Sequence, residues 1–452
     1  MNAEPELVDL ARVIDESPWT AFQKRLVALA ALAFVVDGLA NQALGVAIPS
    51  LVSAWGVPRE SFSQVAAAGL AGVILGTAVG GWGGDRLGRR TLLIASVLLF
   101  GCASLASALC TGPTGLLGLR AIAGVGIGGA IPSGAALIAE FTPARRRSLA
   151  ICLGMVFLPV GSLLSGIIAA LVLPALGWRG LFVITGALPL LLVLALIGRL
   201  PESPRFLVRD PERQAELRAV MARLNVARSH GAVFVDTARA AQSADYRALF
   251  SRGVLTDTLS LWVGFFFNML GSYTMFSWAP TLFTSEGYSV RAASLGIAAF
   301  NVGGVLGGVA GGWLIGAFGS RQPLPGFAVA GLVSAVALAL VPTGSAAAAI
   351  VVPVALVFEG MCVAALAAGL YTLAAHVYPP HVRATGVGAA VAVGRVGAVI
   401  SSYTGVSTLQ AGGGEAYFLL IAAELTIAFL ALIAVRNHIP GAAPASPAMG
   451  AP

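Results

Sequence analysis

GGWGGDRLGRR (residues 80–90) is a glycine-rich stretch between two long apolar segments, and GGWLIGAFGSR (residues 311–321) repeats its pattern in the second half of the chain. The two stretches share residue types at the same spacing: Gly80 and Gly311, Trp82 and Trp313, Gly88 and Gly319, Arg90 and Arg321. A second repeated pattern matches Pro143 with Pro379 and Arg147 with Arg383 at the same spacing. Halves that repeat in the same order are typical of membrane proteins with pseudo-symmetry about the membrane normal.

The composition places the chain in a membrane. Of its 452 residues, 58% are hydrophobic and 10% are charged, and the mean hydropathy is +0.89. Soluble domains carry about 25% charged residues, so a soluble enzyme, a nucleic-acid-binding domain and a disordered scaffold are excluded. The formal charge of +7 sits at the ends of apolar runs and predicts no nucleic-acid partner. Motifs for a nucleotide or a metal are missing from the sequence, which predicts no cofactor and no metal site.

Twelve apolar segments are long enough to cross a bilayer, since a membrane helix needs about 20 such residues. They lie at about 25–50, 61–83, 91–111, 115–138, 149–173, 180–199, 255–281, 291–318, 326–343, 347–375, 384–408 and 416–436. The sequence therefore predicts an all-α membrane protein whose twelve transmembrane helices form two pseudo-symmetric six-helix bundles.

The polar stretches divide the chain further. The predicted parts are a cytoplasmic N-terminal segment (1–24), a first bundle (25–199), a cytoplasmic linker (200–254), a second bundle (255–436) and a disordered cytoplasmic tail (437–452). Within the linker, spaced apolar residues from Asp210 to Arg228 favour an amphipathic helix, with Asp210 as its N-cap and Pro211 as its first residue. A solvated linker without a helix is the alternative.

The distribution of Lys and Arg predicts the orientation. With both termini in the cytoplasm, 22 of the 27 basic residues lie on the cytoplasmic side and three, Arg59, Arg179 and Arg291, on the other. Cytoplasmic loops are the ones that carry excess positive charge. We therefore expect a multi-pass protein of the inner (plasma) membrane with both termini cytoplasmic. The remaining two, Arg120 and Arg395, fall within apolar segments.

Four stretches carry a family resemblance. GDRLGRR (84–90), in a chain with twelve apolar segments, resembles the signature loop of the major facilitator superfamily. PESPRFL (201–207) resembles a motif of sugar, organic-ion and aromatic-acid porters. VDGLANQALGVAIPSL (36–51) and RATGVGAAVAVGRVGA (383–398) are similar to the first and eleventh helices of the aromatic acid:proton symporter family. The resemblance covers essentially the whole chain and implies proton-coupled uptake of a small, hydroxybenzoate-like aromatic carboxylate by alternating access.

The first apolar segment departs from that family at one position. Members of the family carry the pattern Asp-Gly-x-Asp there, and both acids are tied to transport. Asp37 matches the first acid, but Ala40 occupies the place of the second. Asn41 and Gln42 keep the neighbouring positions polar, although neither side chain carries a proton.

Charged residues inside apolar segments are functional candidates, because a charge at the bilayer centre costs about 2.5–3.5 kcal/mol on insertion scales. Asp37 is the predicted proton carrier, and a permanently ionised, hydrogen-bonded Asp37 is the alternative. Arg395 suits bidentate capture of a carboxylate, with internal ion pairing as its alternative. Arg120 either pairs with Asp37, binds a substrate carboxylate or extends to the outer interface.

Two further acids and several polar side chains complete the predicted transport site. Glu359 and Glu424 are each a second proton-coupling candidate or the ion-pair partner of Arg395. The polar residues that apolar segments place within reach of a substrate form the predicted binding set: Arg395, Arg120, Asn41, Gln42, Asn268, Tyr273, Asn301 and Tyr371. Aromatic residues near Tyr273 can stack on a substrate ring, although an aromatic belt at the membrane interface is the commoner cause of Trp and Tyr.

The loop after the second segment supplies the predicted gate. Asp85, Arg86, Arg89 and Glu140 can form an ionic cluster that holds the cytoplasmic side in one state, with static topology-fixing charge as the alternative. The full predicted gating set is Gly84, Asp85, Arg86, Gly88, Arg89, Arg90, Glu140, Arg147 and Arg383.

The sequence thus predicts a monomeric secondary transporter rather than an enzyme, with a small organic acid, protons and lipid as its partners. One alternative is proton-driven efflux of drugs or metabolites on the same fold. The other is a transport-incompetent membrane sensor of aromatic acids, which the loss of an acid at Ala40 motivates.

Overall fold

A computed structural model describes residues 7–224, 233–235, 249–251, 253–341, 348–379 and 382–441. The chain divides into two compact units, Met1–Gln242 and Ser243–Pro452. Each unit contains one of the two predicted bundles.

The first unit consists of helices with one short strand pair. Its helices are α1 (Leu10–Glu16), α2 (Ala21–Trp55), α3 (Ser61–Leu87), α4 (Arg89–Ser107), α5 (Pro113–Phe141), α6 (Ala144–Arg199), α7 (Pro204–Leu207) and α8 (Gln214–Arg223), with a 3₁₀ turn at Pro211–Arg213. Strands β1 (Leu7–Asp9) and β2 (Val233–Val235) pair in parallel, with Leu7 opposite Val233. Within this unit α2 packs along α6, and α5 packs against α3 and α4.

The second unit repeats the pattern of long helices. They are α9 (Leu255–Ser285), α10 (Val290–Phe318), α11 (Pro323–Leu340), α12 (Ala348–Val377) and α13 (Arg383–Ala434). Here α9 packs along α13, and α12 packs against α10 and α11. The equivalent pairings in the two units match the repeat seen in the sequence.

Two of the long helices are interrupted by glycine. α6 breaks at Gly177 (φ 63°, ψ −170°), and α13 breaks at Gly412 and Gly413, the latter with φ 60° and ψ −145°. Glycine adopts positive φ without the steric cost of a Cβ atom. Ten helices among the described residues are long and apolar enough to cross a membrane, and these two breaks divide them into twelve spans. The breaks fall in the predicted gaps 174–179 and 409–415, and the predicted fold class is confirmed.

Glycine also sets how closely the helices pack. A Cβ atom on Gly124 would overlap the carbonyl oxygen of Gly69, so α5 and α3 meet backbone to backbone. A Cβ atom on Gly303 would overlap the carbonyl oxygen of Val357 in the same way, between α10 and α12. Small residues permit this close approach in membrane helices. Glycines therefore permit close contact at these two equivalent helix pairs, α3 with α5 and α10 with α12.

The described part of the predicted linker packs on the first bundle. Leu207, Leu217, Met221 and Phe234 are buried in one apolar cluster that also contains Leu10 and Ile14 of α1 and Phe141 of α5. The apolar faces of these linker residues therefore complete the core of the bundle at 25–199, and the division of the chain at residue 200 stays a prediction. Asp210 caps the turn at Pro211 through Glu212 N (3.0 Å), and the predicted amphipathic helix runs from Gln214 to Arg223; residues 225–228 lie outside the description.

The start of the predicted tail is held in place. Asp257 accepts hydrogen bonds from Arg436 N (2.6 Å) and from the side-chain amide of Asn437 (2.7 Å). Ser320 N donates to the Ile439 carbonyl (3.0 Å), and Ile439 N donates to Ser320 Oγ (2.8 Å). We call residues 436–441 the C-terminal strap. The prediction of disorder is therefore wrong for 437–441, because polar partners from α9 and from the turn after α10 fix the backbone; 442–452 lie outside the description.

The strap has a counterpart in the first unit. Gly319 (φ 77°) lies against the strap, and a Cβ atom there would overlap Ile439 O. Gly88 (φ 98°) lies against Glu202 in the same way, at the equivalent position between α3 and α4. In each unit, the segment that follows the sixth span therefore returns to cover the turn between the second and third spans.

Replacing Gly319 by alanine is expected to destabilise the second unit by about 1–3 kcal/mol, because the backbone (φ 77°, ψ −175°) is essentially restricted to glycine and the added Cβ atom would strike the strap. The thermal unfolding midpoint of the purified protein measures the effect. Gly316→Ala is the matched control, since that glycine is helical and has open space around it. Equal midpoints for the two variants would show that the strap does not constrain the turn.

Candidate functional site

In the second unit, Arg395 is held beside a tyrosine. Its Nη1 donates a hydrogen bond to the Tyr273 hydroxyl at 3.1 Å, which joins α13 to α9. The glycines on either side of Arg395 make this possible, because Cβ atoms on Gly394 and Gly397 would press on the α9 backbone at Phe265 and Phe266. The close helix approach thus positions a half-buried guanidinium that the sequence alone predicted as a carboxylate ligand.

Two groups of aromatic rings lie near this pair. The Tyr371 ring meets the Phe265 ring edge to face at 5.1 Å between centroids, and Tyr371 lies within electrostatic range of Arg395 and Tyr273. The Tyr273 ring meets Phe276 at 5.7 Å, and Phe276 meets Phe300 at 5.7 Å. We call these five rings, namely Phe265, Tyr273, Phe276, Phe300 and Tyr371, the aromatic cluster. Tyr371 is 39% exposed, so the cluster presents an accessible ring beside the guanidinium.

The arrangement suits one kind of ligand. A guanidinium binds a carboxylate through two parallel N–H donors, and aromatic rings favour offset or edge-to-face contact with another ring. Arg395 supplies the guanidinium for a carboxylate, and the aromatic cluster supplies rings that can contact an aromatic ligand. Phe265 and Phe276 are among the aromatic residues near Tyr273 that the sequence offered for stacking, whereas Phe300 was not predicted, because the sequence does not show which rings meet across helices.

The two asparagines of the predicted binding set differ in their surroundings. The Asn301 amide donates to the Ile297 carbonyl at 2.9 Å within its own helix, so that donor is already used. Both side-chain polar atoms of Asn268 are buried and have no hydrogen-bond partner among the described residues. Since burying an amide without partners costs free energy, Asn268 is the better candidate for a polar ligand contact.

In the first unit, Asp37 lies in the middle of α2 and is 1% exposed. The next residue, Gly38, fixes the position of this part of α2: its missing side chain lets the Leu158 carbonyl of α6 approach, and its own carbonyl accepts from Ser162 Oγ at 3.2 Å. Gln42 is buried and Asn41 is half-buried in the same helix. The predicted proton site is therefore enclosed by protein rather than exposed to lipid.

Arg120 does not pair with Asp37, and that alternative is wrong. Its guanidinium lies 4.9 Å from the centroid of the Phe182 ring, and Nη2 donates to Ser107 Oγ at 3.4 Å. Only 4% of the residue is exposed, so it does not extend to the interface either. The reason is its position: Arg120 lies near the start of α5, opposite the end of α4, whereas Asp37 is at the middle of α2.

Glu359 and Glu424 do not form ion pairs with Arg395, and that alternative is also wrong. Both are buried, and neither carboxylate has an ion-pair partner in the described part of the chain. Glu359 lies beside Ser334, and Glu424 lies against Gly271, where a Cβ atom would stand 2.9 Å from Oε2. Each acid is thus buried among neighbours other than the guanidinium.

An ionic cluster joins the ends of α3, α4 and α5. Asp85 Oδ1 lies 2.5 Å from Arg89 Nη2, and Arg89 Nε lies 3.8 Å from Glu140 Oε1. Glu140 also accepts a hydrogen bond from the Ser203 hydroxyl. Arg86 lies outside this network, contrary to the predicted grouping: its guanidinium packs on the Trp82 ring at 4.3 Å. At Gly84, a side chain would collide with Arg89.

Glu202 is the residue of this region that the sequence analysis missed. It is 1% exposed, and its carboxylate accepts from Arg90 N (2.9 Å) and Thr91 N (3.4 Å) at the first turn of α4. A carboxylate at a helix N-terminus satisfies free N–H groups and the helix dipole. The signal was present in PESPRFL (201–207), but nothing in the sequence linked that motif to residue 90.

The arginines after α5 and α12 repeat each other's geometry. Arg147 Nε donates to the Ala139 carbonyl at 3.0 Å, and Arg383 Nε donates to the Tyr378 carbonyl at 3.4 Å. Each thus satisfies a carbonyl near the end of the preceding helix. Arg147 also pairs with Asp15 of α1, which ties the N-terminal segment to the bundle.

Glu202→Ala is expected to weaken the first turn of α4 by about 1–3 kcal/mol, because two backbone N–H groups lose a charged acceptor. Hydrogen exchange at Arg90 and Thr91 measures this directly, and their protection should fall. Glu212→Ala is the control, since that carboxylate is on the exposed 3₁₀ turn. Unchanged protection in the Glu202 variant would mean that the carboxylate does not cap α4.

Comparison with known proteins agrees with this architecture. The sequence profile of the Major Facilitator Superfamily matches residues 30–402. The chain is 34% identical to the 4-hydroxybenzoate transporter PcaK of Pseudomonas aeruginosa, over 90% of this chain and 91% of that protein. It is 32% identical to the gallate transporter of Pseudomonas putida, over 94% and 95% of the two chains. The inward-open xylose transporter XylE from E. coli superimposes with a TM-score of 0.72 at 19% identity, covering 92% of this chain and 97% of that one.

The chain belongs to the Major Facilitator Superfamily. It is a multi-pass membrane transporter and not an enzyme.

Proposed function

We propose that the protein takes up a small aromatic carboxylate together with a proton, by alternating access. The observation that carries the proposal is the hydrogen bond between Arg395 and Tyr273 inside the aromatic cluster, which offers one group for a carboxylate and several for a ring. Two relatives named as transporters of 4-hydroxybenzoate and gallate support this substrate class. Both compounds are ring-hydroxylated benzoic acids.

Arg395 binds the substrate carboxylate in this proposal. Tyr273 holds the guanidinium from one side through its hydroxyl, and the planar fork of the guanidinium suits a bidentate contact with a carboxylate. The ring of the substrate then packs against Tyr371 and Phe276 of the aromatic cluster, and Asn268 meets a ring hydroxyl. Arg120, fixed on Ser107 and Phe182, contributes positive charge in the first unit rather than a substrate contact.

Asp37 carries the coupled proton. A buried carboxyl in mid-membrane is retained for such a role because of its cost, and Asp37 is enclosed within α2 where that helix packs on α6. Transfer of one proton with one monoanion moves no net charge, so the pH gradient drives it. A second proton, on Glu359 or Glu424, would add about 2.3 kcal/mol of driving force per 100 mV.

The ionic cluster of Asp85, Arg89 and Glu140 acts as the cytoplasmic latch in this scheme. It forms in one state of the transporter and breaks in the other. The protein in this proposal is a monomer in the inner membrane, and both of its termini lie in the cytoplasm. The arginine distribution supports that orientation.

Arg395→Lys is expected to raise the KM for 4-hydroxybenzoate about tenfold or more with a smaller change in kcat, because an ammonium replaces the planar fork. Tyr273→Phe should raise KM less, since the guanidinium remains but loses its positioning hydroxyl. Initial uptake rates in proteoliposomes give both constants. Tyr403→Phe is the control, because that exposed tyrosine lies on α13 away from the cluster. Identical kinetics for the Arg395 variant would exclude it from substrate binding.

Asp37→Asn is expected to abolish accumulation of 4-hydroxybenzoate against its gradient and to leave exchange of labelled for unlabelled substrate. The amide has nearly the same size as the carboxyl group, but it cannot bind and release the coupled proton. Proteoliposomes with an alkaline interior measure uphill uptake, and equilibrium exchange is measured without a pH gradient. Ala40→Asp is the companion variant that restores the second acid. Unchanged uphill uptake by the Asp37→Asn variant would remove Asp37 from coupling.

The same vesicles test the proposed function as a whole. Wild-type protein should accumulate 4-hydroxybenzoate or gallate while it dissipates an imposed pH gradient, and xylose should not accumulate. Protein-dependent extrusion of these acids would instead identify an exporter. Binding without accumulation in either direction would identify a sensor, and either outcome overturns the proposal.

A further inference from the structure

The second unit contains a basic cleft that lies outside the proposed transport site. It lies where α10 and α13 end, at the membrane face that the arginine distribution assigns to the cytoplasm. Its volume is about 420 Å³. The residues that line it come from the turn after α10 and from the C-terminal strap: Phe318, Arg321, Gln322, Arg436, His438, Ile439, Pro440 and Gly441.

Hydrogen bonds fix the backbone of the strap beside the cleft. Ser320 forms two hydrogen bonds with Ile439, and its hydroxyl also lies 3.1 Å from His438 Nδ1. Asp257 anchors the start of the strap through the backbone of Arg436 and the side chain of Asn437. The side chains of Arg321 and Arg436 are therefore left to point outward from a fixed backbone.

The charge in the cleft is not compensated. Neither Arg321 nor Arg436 has a side-chain hydrogen bond or an ion pair with another residue in the described ranges, and both residues are exposed. The carboxylate of Asp257 is occupied by the two N–H donors of the strap. Burial lowers the pKa of His438, and the positive charge of Arg321 lowers it further. At neutral pH the cleft thus presents two guanidinium groups beside a neutral imidazole.

The arginine of the first unit that is equivalent to Arg321 is used differently. Arg90 donates through Nη2 to the Ile197 carbonyl at 2.7 Å. Its guanidinium is therefore engaged within the protein, whereas that of Arg321 is available for a ligand.

Exposed aromatic rings mark the depth of the cleft in the membrane. Trp313 and Phe318, near the end of α10, are 68% and 61% exposed, with ring centroids 6.4 Å apart. Such rings are enriched at the level of lipid headgroups. Arginine pairs recognise phosphate oxygens, and basic residues at this depth attract anionic lipids.

We propose that the cleft binds the phosphate headgroup of an anionic phospholipid, through Arg321 and Arg436, with its acyl chains beside Trp313 and Phe318. Free phosphate offers the same oxygen atoms. The exposed rings favour the lipid, because they provide apolar surface for a chain that a free ion does not have.

Native mass spectrometry of the full chain in detergent micelles tests this site. The probes are dioleoylphosphatidylglycerol and dioleoylphosphatidylcholine, each titrated into wild type and into the R321Q/R436Q variant. Wild type should retain the anionic lipid preferentially, and the variant should lose about tenfold or more of that affinity, since both cationic contacts to the phosphate are removed. R218Q/R291Q is the charge-matched control: both arginines are exposed and lie elsewhere, so its lipid retention should equal that of wild type.

Three outcomes would overturn the proposal. Equal retention by wild type and R321Q/R436Q would exclude the two arginines as ligands. Equal retention of the two lipids by wild type would exclude headgroup charge as the basis of binding. Displacement of bound phosphatidylglycerol by inorganic phosphate at the same concentration would assign the cleft to a soluble anion. Both substitutions spare the strap, whose hydrogen bond at Arg436 uses the backbone, so misfolding is not the expected cause of a loss.

Discussion

No water is available in the hydrocarbon core of a bilayer, so a charged side chain there depends on the protein's own groups. That constraint separates the buried charges of this chain into two kinds. Arg395 contacts a tyrosine hydroxyl among aromatic rings, and Arg120 contacts a serine and a phenylalanine ring. Glu359 and Glu424 have no ion-pair partner among the described residues. Both arginines are thus fixed by polar and aromatic neighbours, whereas neither acid has a compensating positive charge.

The two units use one backbone plan with different chemistry. In both, a glycine with positive φ after the second span is covered by the segment that follows the sixth span. In the first unit the covering group is the carboxylate of Glu202, which caps α4. In the second it is the main chain at Ile439, held by Ser320. The geometry of the repeat has thus been kept while its side chains have diverged: at this turn Arg90 donates to a carbonyl of the first unit, whereas Arg321 of the second unit is exposed.

Much of the fold could be predicted because hydrophobic length and charge asymmetry are properties of the sequence alone. The breaks at Gly177 and Gly413 fall where the apolar runs stop, and Arg395 could be singled out as a candidate because a charge within a membrane helix is costly. Contacts between distant segments were not predictable. Pairing with Asp37 was one of three alternatives for Arg120, which contacts Ser107 and Phe182 instead, because the neighbours of a membrane residue depend on helix rotation and depth. The predicted disordered tail began at residue 437, although the small and proline-rich residues that indicated disorder lie at 442–452. Residues 437–441 were included because their partners Asp257 and Ser320 could not be known from the sequence.

The strap also sets where the chain can be cut or extended. Removing every residue after the last apolar span would delete the partners of both Asp257 and Ser320, leaving a buried carboxylate and the turn after α10 without their hydrogen bonds. Purification handles or fluorescent fusions should accordingly begin beyond Gly441. A truncation at Val435 that looks harmless by hydropathy would open one end of the second unit.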